Sequence, residues 1–513
     1  MSDNGDQARY PLYRRAGLFG GILAFAACLA IPTPVGMSGD GQRVAAVALL
    51  MGVWWVTEAI PIAAASLAPL ALFPALGVMS GKDTALCYGD STVFLFAGGF
   101  FISMAMQQWR LHERVALRVI RRTGTNPRRL VLGFMCASAF ISLWISNAAT
   151  TMMMIPVAIA VIEQIKKDET TPWVSDFAVT AMLGIAYASS IGGVGTLVGT
   201  APNIVCAGII TKLFPEAPRI SFGQWILFGL PMVIVIVPLA WVVLVRFIFP
   251  LPGHNAQAAA GREAVDERLR LLGPMVRGEK VVLAVSITTA LAWIFRADLA
   301  LGAVTIPGWS SLFPNGKYIE DGTVAIAFAL LLFLIPVDLK RGRFALEWDW
   351  AVRIPWGILL LFGGGFAIAQ GFDETGLVEW AGSYMRVLDG LPPIAVVFVV
   401  ALTITFMSEF MSNTAQTALM LPILAAAATS ALNLHPLLLM IPATFSASLA
   451  FMMPAGTPPN AMVFGSGYVT IPQMAKAGFW LNVIGIVVLT IMTFLVINPV
   501  LNITPTEIPA WVK

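Results

Sequence analysis

Apolar stretches long enough to cross a hydrocarbon layer of about 30 Å recur along the whole of this 513-residue chain. Eleven spans are expected, near residues 16–31, 44–56, 62–78, 93–106, 177–188, 225–249, 281–293, 323–336, 354–369, 436–452 and 479–498. Lipid offers no partner to a free N–H or C=O, so each span has to close its own hydrogen bonds as a helix. Two further apolar segments, 130–165 and 394–431, are too long for one crossing, and a polar cluster interrupts each. Re-entrant hairpins fit them, because irregular backbone at membrane depth survives only inside protein or around a cavity. Composition closes off other classes. Only 12% of residues are charged, about half the fraction in a soluble domain, which excludes a soluble enzyme or a nucleic-acid binder. Cys28, Cys87, Cys136 and Cys206 stand apart in apolar runs and read as reduced packing residues.

The basic residues orient the spans. With the N-terminus inside and each hairpin returning to its own side, 23 of the 31 Lys and Arg fall in inner segments. That asymmetry is what the positive-inside rule requires, and it predicts eleven crossings with a cytoplasmic N-terminus and an outer C-terminus. The first hairpin then enters from the cytoplasm and the second from outside. No cleavable signal peptide is expected, since residues 1–15 are polar and the first apolar stretch lacks a small-residue cleavage site.

The chain also repeats itself. Residues 142–156, SLWISNAATTMMMIP, match SEFMSNTAQTALMLP at 408–422 in seven of fifteen positions at an offset of 266. The same offset aligns FLFAGGFFI at 94–102 with LLFGGGFAI at 360–368, and GTAPN at 199–203 answers GTPPN at 456–460 at an offset of 257. Three motif pairs in one order mean a duplicated unit. Because one hairpin opens inward and the other outward, the repeat is inverted, which is the architecture of secondary transporters with a midplane site.

The polar clusters carry the chemistry. Each SN cluster forms the expected tip of a hairpin, and helices expected from Thr151 and Thr417 would aim free N–H groups and a positive dipole end at the cavity. That is an anion site built without cationic side chains. Ser and Asn oxygens with freed carbonyls are also hard ligands for a small alkali cation. Pro202, Pro458 and Pro459 keep helices from running through the GT-PN segments, so each of those crossings breaks into half-helices. The glycine-rich run Ser189–Gly199 is no dinucleotide loop, because no strand precedes it. Neither the SN motifs nor the GT-PN loops contain Lys, Arg or His, and His112, His254 and His435 fall in interfacial or loop positions. A bound anion therefore needs co-bound cations, and sodium coupling follows. Glu409, one turn before Asn413, either adds field for a cation or packs. Glu58, in TEAIP, is expected to cap or orient a helix junction.

The paired SN tips, the paired GT-PN loops, WWVTEAIP at 54–61 and the FAGGF/FGGGF pair together resemble the divalent anion/sodium symporter (DASS) family of sodium-dicarboxylate, citrate and sulfate carriers, from about residue 44 to 498. The resemblance implies a homodimer in which a scaffold domain holds the dimer interface and a transport domain moves as an elevator. It implies a first sodium site from Ser142, Ser146 and Asn147 with the backbone of Gly195 or Gly199, and a second from Ser408, the Met411 backbone, Ser412 and Asn413 with the backbone near Gly456. Substrate carboxylates would meet Asn147, Asn413 and Thr414, with Thr200 and Thr457 nearby. The chain departs from the SNT pattern at Ala148, where a hydroxyl is missing and Thr150 or Thr151 is the replacement.

The expected fold is thus an all-α polytopic membrane protein with about 11 transmembrane helices plus two re-entrant hairpins. Residues 1–15 form a cytoplasmic segment, 16–122 and 280–390 the scaffold, 123–250 and 391–513 the transport domain, and 251–279 a cytoplasmic linker. The expected activity is import of a C4-dicarboxylate (succinate, malate or fumarate) across a bacterial inner membrane. Sodium is the coupling ion, and no cofactor, catalytic residue or nucleic-acid partner is implied. A sodium-independent exchanger is the alternative. An intramembrane hydrolase using Ser466 is disfavoured, since no His or Lys is placed to act as its base.

Overall fold

A computed structural model of the chain describes residues 11–512 apart from 125, 169–172, 253–258 and 302–303. Residues 1–10, His254, Lys513 and part of the expected linker lie outside the described residues. The architecture is all-α. The first fifth of the chain forms α1 (Leu12–Ala30), α2 (Gly39–Thr57), the short α3 (Ile62–Ala65) and α4 (Ala68–Leu76), α5 (Gly81–Tyr88) and α6 (Ser91–Gln108). Then follow α7 (Leu111–Thr123), α8 (Pro127–Ser142), α9 (Asn147–Asp168), α10 (Trp173–Gly193), α11 (Ala201–Leu213) and α12 (Phe222–Val242). The second half begins with α13 (Ala259–Leu272), α14 (Arg277–Ile294), α15 (Asp321–Leu334) and α16 (Trp348–Ala351). It continues as α17 (Trp356–Glu374), α18 (Leu377–Ser383), α19 (Pro393–Met407), α20 (Asn413–Ala426), α21 (Leu437–Ala447), α22 (Pro458–Gly465), α23 (Ile471–Met492) and α24 (Asn498–Leu501). The strands among the described residues are two small antiparallel pairs: β1 (Leu299–Leu301) with β2 (Val304–Ile306), and β3 (Pro336–Asp338) with β4 (Arg343–Phe344).

The duplication governs the layout. From α6 to α12 the elements are answered in order by α17 to α23. Both α7 and α18 start after a residue in the left-handed region, Arg110 (φ 55) and Gly376 (φ 68), which lie 266 apart. Both α8 and α19 open on proline, which donates no N–H and suits a first helical turn. Asn126 Oδ1 caps α8 by accepting from Arg129 N (2.8 Å). The last helices of the two halves both relax into π-helical turns, Val243–Ile248 after α12 and Thr493–Ile497 after α23. Phe96 and Phe362, equivalent by the same offset, pack with ring centroids 5.2 Å apart. Equivalent residues of the two halves thus meet where α6 packs on α17.

Eight helical stretches among the described residues are long and apolar enough to cross a bilayer by length and composition. Two expected spans are broken. Residues 62–78 form α3 and α4, separated at Ser66, whose hydroxyl donates back to Ile62 O (2.7 Å), and Pro69 starts the second piece. Residues 436–452 are helical only as α21, to Ala447. Between 377–388, which includes α18, and α19 the chain bends by 112°. α7 is amphipathic: Leu111, Leu117 and Ile120 are buried while Arg118, Arg121 and Arg122 are exposed. Glu58 ends α2 in the left-handed region (φ 46) and accepts from Arg14 at 2.6 Å, so it orients the expected helix junction. The four cysteines are free thiols.

The core lies among α8 to α12 and α19 to α23. Every residue of α10 from Phe177 to Gly193 is buried, including the run that leads into the first glycine-rich loop. α9 packs on α10 and on α22, while α20 packs on α21 and on α11. Each half therefore holds the other half's broken helix.

Candidate functional site

Both SN clusters interrupt helices. The helices after them begin at Asn147 and Asn413, four residues earlier than the Thr151 and Thr417 expected from sequence. Serine favours the position just before a helix, where Ser146 and Ser412 stand; Ser146 Oγ accepts from Ala149 N (3.4 Å), whereas Ser412 precedes α20 without a side-chain cap. The asparagine side chains thus stand at N-termini whose N–H groups have no intrahelical acceptor. Two more N-termini come from α11 and α22. Thr200 and Thr457 precede these in extended backbone, and both are buried without capping their own helices.

The first tip is a cluster of oxygens. Ser142 Oγ donates to Ser189 O (2.6 Å) and lies 2.9 Å from Asn147 Oδ1. That same amide position is 3.2 Å from both Gly199 O and Ser189 O. With its oxygen inward, Asn147 faces only acceptors, an arrangement that a cation would satisfy. With the amide turned over, its NH₂ stands within donating distance of Ser142 Oγ, Ser189 O and Gly199 O, and its two hydrogens serve that group of acceptors. Asn147 Nδ2 otherwise reaches Thr200 Oγ1 at 3.4 Å. Gly199 is pressed against the tip, because a Cβ there would sit 2.8 Å from Ser142 O and collide with Gly193 O. Gly195 instead abuts the side chains of Leu143 and Val233. Thr196 Oγ1 donates to Leu143 O (2.5 Å), tying loop to tip. Thr151 is fully buried with no partner for its hydroxyl, whereas Thr150 Oγ1 lies 3.5 Å from Ile145 O. Ala148 is half-buried at the N-terminus of α9.

The second tip is built differently. Ser408 Oγ donates to Gln416 Oε1 (2.6 Å), and Gln416 Nε2 donates to Ile404 O (2.9 Å). Gln416 stands where the first half has Thr150, so the serine hydroxyl is drawn into its own hairpin instead of reaching the broken helix. Asn413 Oδ1 is shielded from solvent and without a partner. Met411, Ser412 and Thr414 are half-buried around it. A Cβ on Gly456 would lie 3.1 Å from Ser408 O, the same loop-to-tip approach as at Gly199.

The asparagines of the two GT-PN motifs act alike, a role the sequence reading left unassigned although the paired spelling signalled it. Asn203 Nδ2 donates to Gly193 O (3.1 Å) and Thr196 O (2.7 Å), and Asn460 Nδ2 to Ala450 O (3.2 Å) and Met453 O (3.1 Å). Each amide holds a non-helical loop at membrane depth, where unpaired carbonyls would be costly.

The site carries no basic side chain. His435, in the loop before α21, is pushed down to about 4 by burial and so adds no positive charge at neutral pH. Among the described residues, no group of three His, Cys, Asp or Glu converges. Ser466 Oγ donates to Val463 O (2.5 Å), closing the end of α22. A cavity of about 950 Å³ lies between α6, α11 and the segment around 310–322, and it includes Leu197 from the first loop. Its Arg219, Arg296 and Lys317 are balanced by Asp298, Glu320 and Asp321, so it has no net charge to draw an anion.

Known proteins resemble the chain in sequence and in fold. The chain is 40% identical to the sodium-dependent dicarboxylate transporter SdcS of Staphylococcus saprophyticus, over 99% of this chain and 96% of that protein. It is 38% identical to SdcS of Staphylococcus aureus, over 95% and 92%. In fold it is similar to MtrF of Neisseria gonorrhoeae (TM-score 0.57, 12% identity, 98% of each chain). The YdaH transporter of Alcanivorax borkumensis is a second such neighbour (TM-score 0.52, 12% identity, 94% of this chain and 96% of that one). The family described as "Sodium:sulfate symporter transmembrane region" matches residues 14–502, and with this coverage the chain belongs to that family, the divalent anion/sodium symporters, as an integral multi-pass membrane transport protein.

Proposed function

We propose that the protein imports a C4-dicarboxylate such as succinate, malate or fumarate across a bacterial inner membrane, coupled to sodium. The observation that carries this reading is the pair of tips without basic side chains, each of which sets two helix N-termini, those of α9 with α11 and of α20 with α22, beside polar oxygens. Helix N-termini stabilise an anion by about 0.3–1 kcal/mol each, up to ~2 in buried geometry. Removing one carboxylate from water costs several kcal/mol even after relaxation, so the termini alone fall short for a dianion. A cation about 4 Å away supplies ~4 kcal/mol at an effective dielectric near 20. Sodium is thus the missing positive charge. The names of the relatives above support sodium as the ion and a dicarboxylate as the class of cargo.

In this reading Ser142, Asn147 and Gly199 hold one sodium, with Ser146 capping the adjoining helix. Ser408, Asn413 and Gly456 hold the other, with Met411 and Ser412 beside them. Gly195 packs behind the first site instead of ligating. Dicarboxylate oxygens accept from the N–H groups opening α9, α11, α20 and α22 and from Thr200, Thr414 and Thr457. Thr151, whose hydroxyl has no partner, is the nearest source of the hydroxyl missing at Ala148. The surface arms α7 and α18 lead into the hairpins, as an elevator needs if a transport domain is to slide against a dimeric scaffold. The N-terminus is cytoplasmic and the C-terminus outside.

The test is thermal unfolding of the purified protein with succinate, malate, citrate or sulfate, in sodium or in choline. Ligand at 100 times its Kd adds about 2.7 kcal/mol of stability. Succinate is expected to raise the midpoint in sodium and leave it unchanged in choline. A larger shift with citrate or sulfate would reassign the cargo, and a shift indifferent to sodium would point to the exchanger.

A further inference from the structure

Exposed charge gathers where α7 meets α8. Arg118, Arg121 and Arg122 are exposed on α7, and Arg129 is exposed in the first turn of α8. Elsewhere on α7 the arginines have carboxylates at hand: Arg114 is buried against Glu279 (3.0 Å), and Glu113 takes Arg110 (2.7 Å). Asp266 of α13 lies 3.7 Å from Arg121. Among the described residues no carboxylate pairs with Arg118, Arg122 or Arg129, and Arg118 Nη1 meets Met275 Sδ at 4.0 Å. Helix dipoles explain part of this pattern. Cations suit the last turn of α7, where Arg121 and Arg122 stand, but the first turn of α8 carries the opposite end of its dipole, and Arg128 and Arg129 stand there. Arg128 Nε donates to Leu251 O (2.6 Å), whereas the Arg129 guanidinium has no acceptor among the described residues.

The unpaired arginines are neighbours. A Cβ on Gly124 would lie 2.8 Å from Arg129 Cδ, so that side chain folds back over the residue that ends α7, and Gly133 of α8 abuts Ile120 and Thr123. Arg118 and Arg122 are one turn apart, and half-buried Val115 and Val119 fill the same stripe of α7. Trp241 Nε1 donates to Arg128 O (2.8 Å), and past α12 an exposed Phe247 follows an exposed Arg246. Arginines, an indole and apolar side chains gathered at the ends of spans have the composition of a surface that meets lipid headgroups.

We propose that Arg118, Arg122 and Arg129 form a headgroup site for an anionic phospholipid of the leaflet that borders α7. Their guanidinium groups hold the phosphate through paired N–H donors, and Val115 and Val119 give the adjoining glycerol and chain an apolar bed. The lipid supplies the counter-charge that protein carboxylates supply elsewhere on α7. A free phosphate shares the headgroup's chemistry but brings no chain to the valine stripe. Because Gly124 (φ 115) joins the two helices inside the site, a bound headgroup also ties α7 to the hairpin that starts with α8.

The experiment is a titration of the purified full-length protein in neutral detergent with phosphatidylglycerol or phosphatidylcholine, read by the thermal unfolding midpoint. Phosphatidylglycerol is expected to raise the midpoint to a plateau and phosphatidylcholine to leave it unchanged. Arg122→Gln combined with Arg129→Gln is expected to raise the half-saturating fraction of phosphatidylglycerol at least tenfold, at about fivefold for each arginine. Lys340→Gln combined with Arg341→Gln, both exposed between β3 and β4, removes the same charge and should leave that fraction within a factor of two. The midpoint in phosphatidylcholine alone measures any structural cost separately. Equal rises in the two pairs, or an unchanged half-point in the first, would overturn the site. Should the first pair fail to fold, Arg118→Gln alone is expected to raise the half-point about fivefold, and an unchanged value would overturn the site as well. The two lipids acting alike would remove the role of charge, and an equal midpoint shift from inorganic phosphate without lipid would overturn the lipid in favour of a free anion.

Discussion

Asn147→Ala and Asn413→Ala are each expected to cut sodium-driven succinate uptake into proteoliposomes at least 100-fold while leaving a folded protein. Each asparagine opens the helix after its tip, and each removal deletes one hard oxygen and one amide at once. At the first tip, Ser142 Oγ, Ser189 O and Gly199 O would be left around a void where an amide or a cation had balanced them. Losing about 2.7 kcal/mol of binding, ~1.4 kcal/mol per factor of ten, already accounts for that fall. At the second tip Asn413 Oδ1 makes no hydrogen bond within the protein, so its removal costs folding little and ligand binding much. Uptake above a tenth of wild type in either variant, with unchanged sodium dependence, would refute the assignment of the tips.

Gly199→Ala is the second large effect. The new methyl meets backbone, Gly193 O and Ser142 O, which cannot swing aside as a side chain can. Overpacking of this kind costs about 1–3 kcal/mol, and here it falls on the contact that closes the first cation site. The variant is expected to lose at least tenfold in sodium affinity in the presence of succinate, measured by a sodium titration of the thermal unfolding midpoint. Gly195→Ala is the control: its methyl meets the side chains of Leu143 and Val233, which can give, and it should stay within a factor of three of wild type. Equal losses in both variants would show that Gly199 has no special place at the tip.

Much of this was legible in the sequence. Unbroken apolar runs of this length cross lipid as helices and not as alternating barrel strands, so the all-α multi-pass class follows from residues alone. The motif pairs at offsets of 266 and 257 gave the duplicated order that α6–α12 and α17–α23 display. Other features depend on where distant backbone arrives. Glu409 read as a packing residue or a source of field, because its partners, Phe451–Met453 and Asn482, lie over 40 residues away. Gly195 and Gly199 looked interchangeable in a run of small residues, and only the approach of Ser142 separates them. Gln416 breaks the symmetry of the tips in a way that residue spelling cannot weigh, since its effect depends on which hydroxyl it captures. The early start of α9 follows from capping by Ser146, which hydropathy does not register.

Coupling to sodium is the central claim, and labelled succinate uptake into proteoliposomes tests it most directly. Vesicles without internal dicarboxylate and with an inward sodium gradient are expected to accumulate succinate above the external concentration, and to lose that accumulation when choline replaces sodium. Accumulation that ignores the sodium gradient and requires dicarboxylate inside would contradict the account and establish exchange in its place.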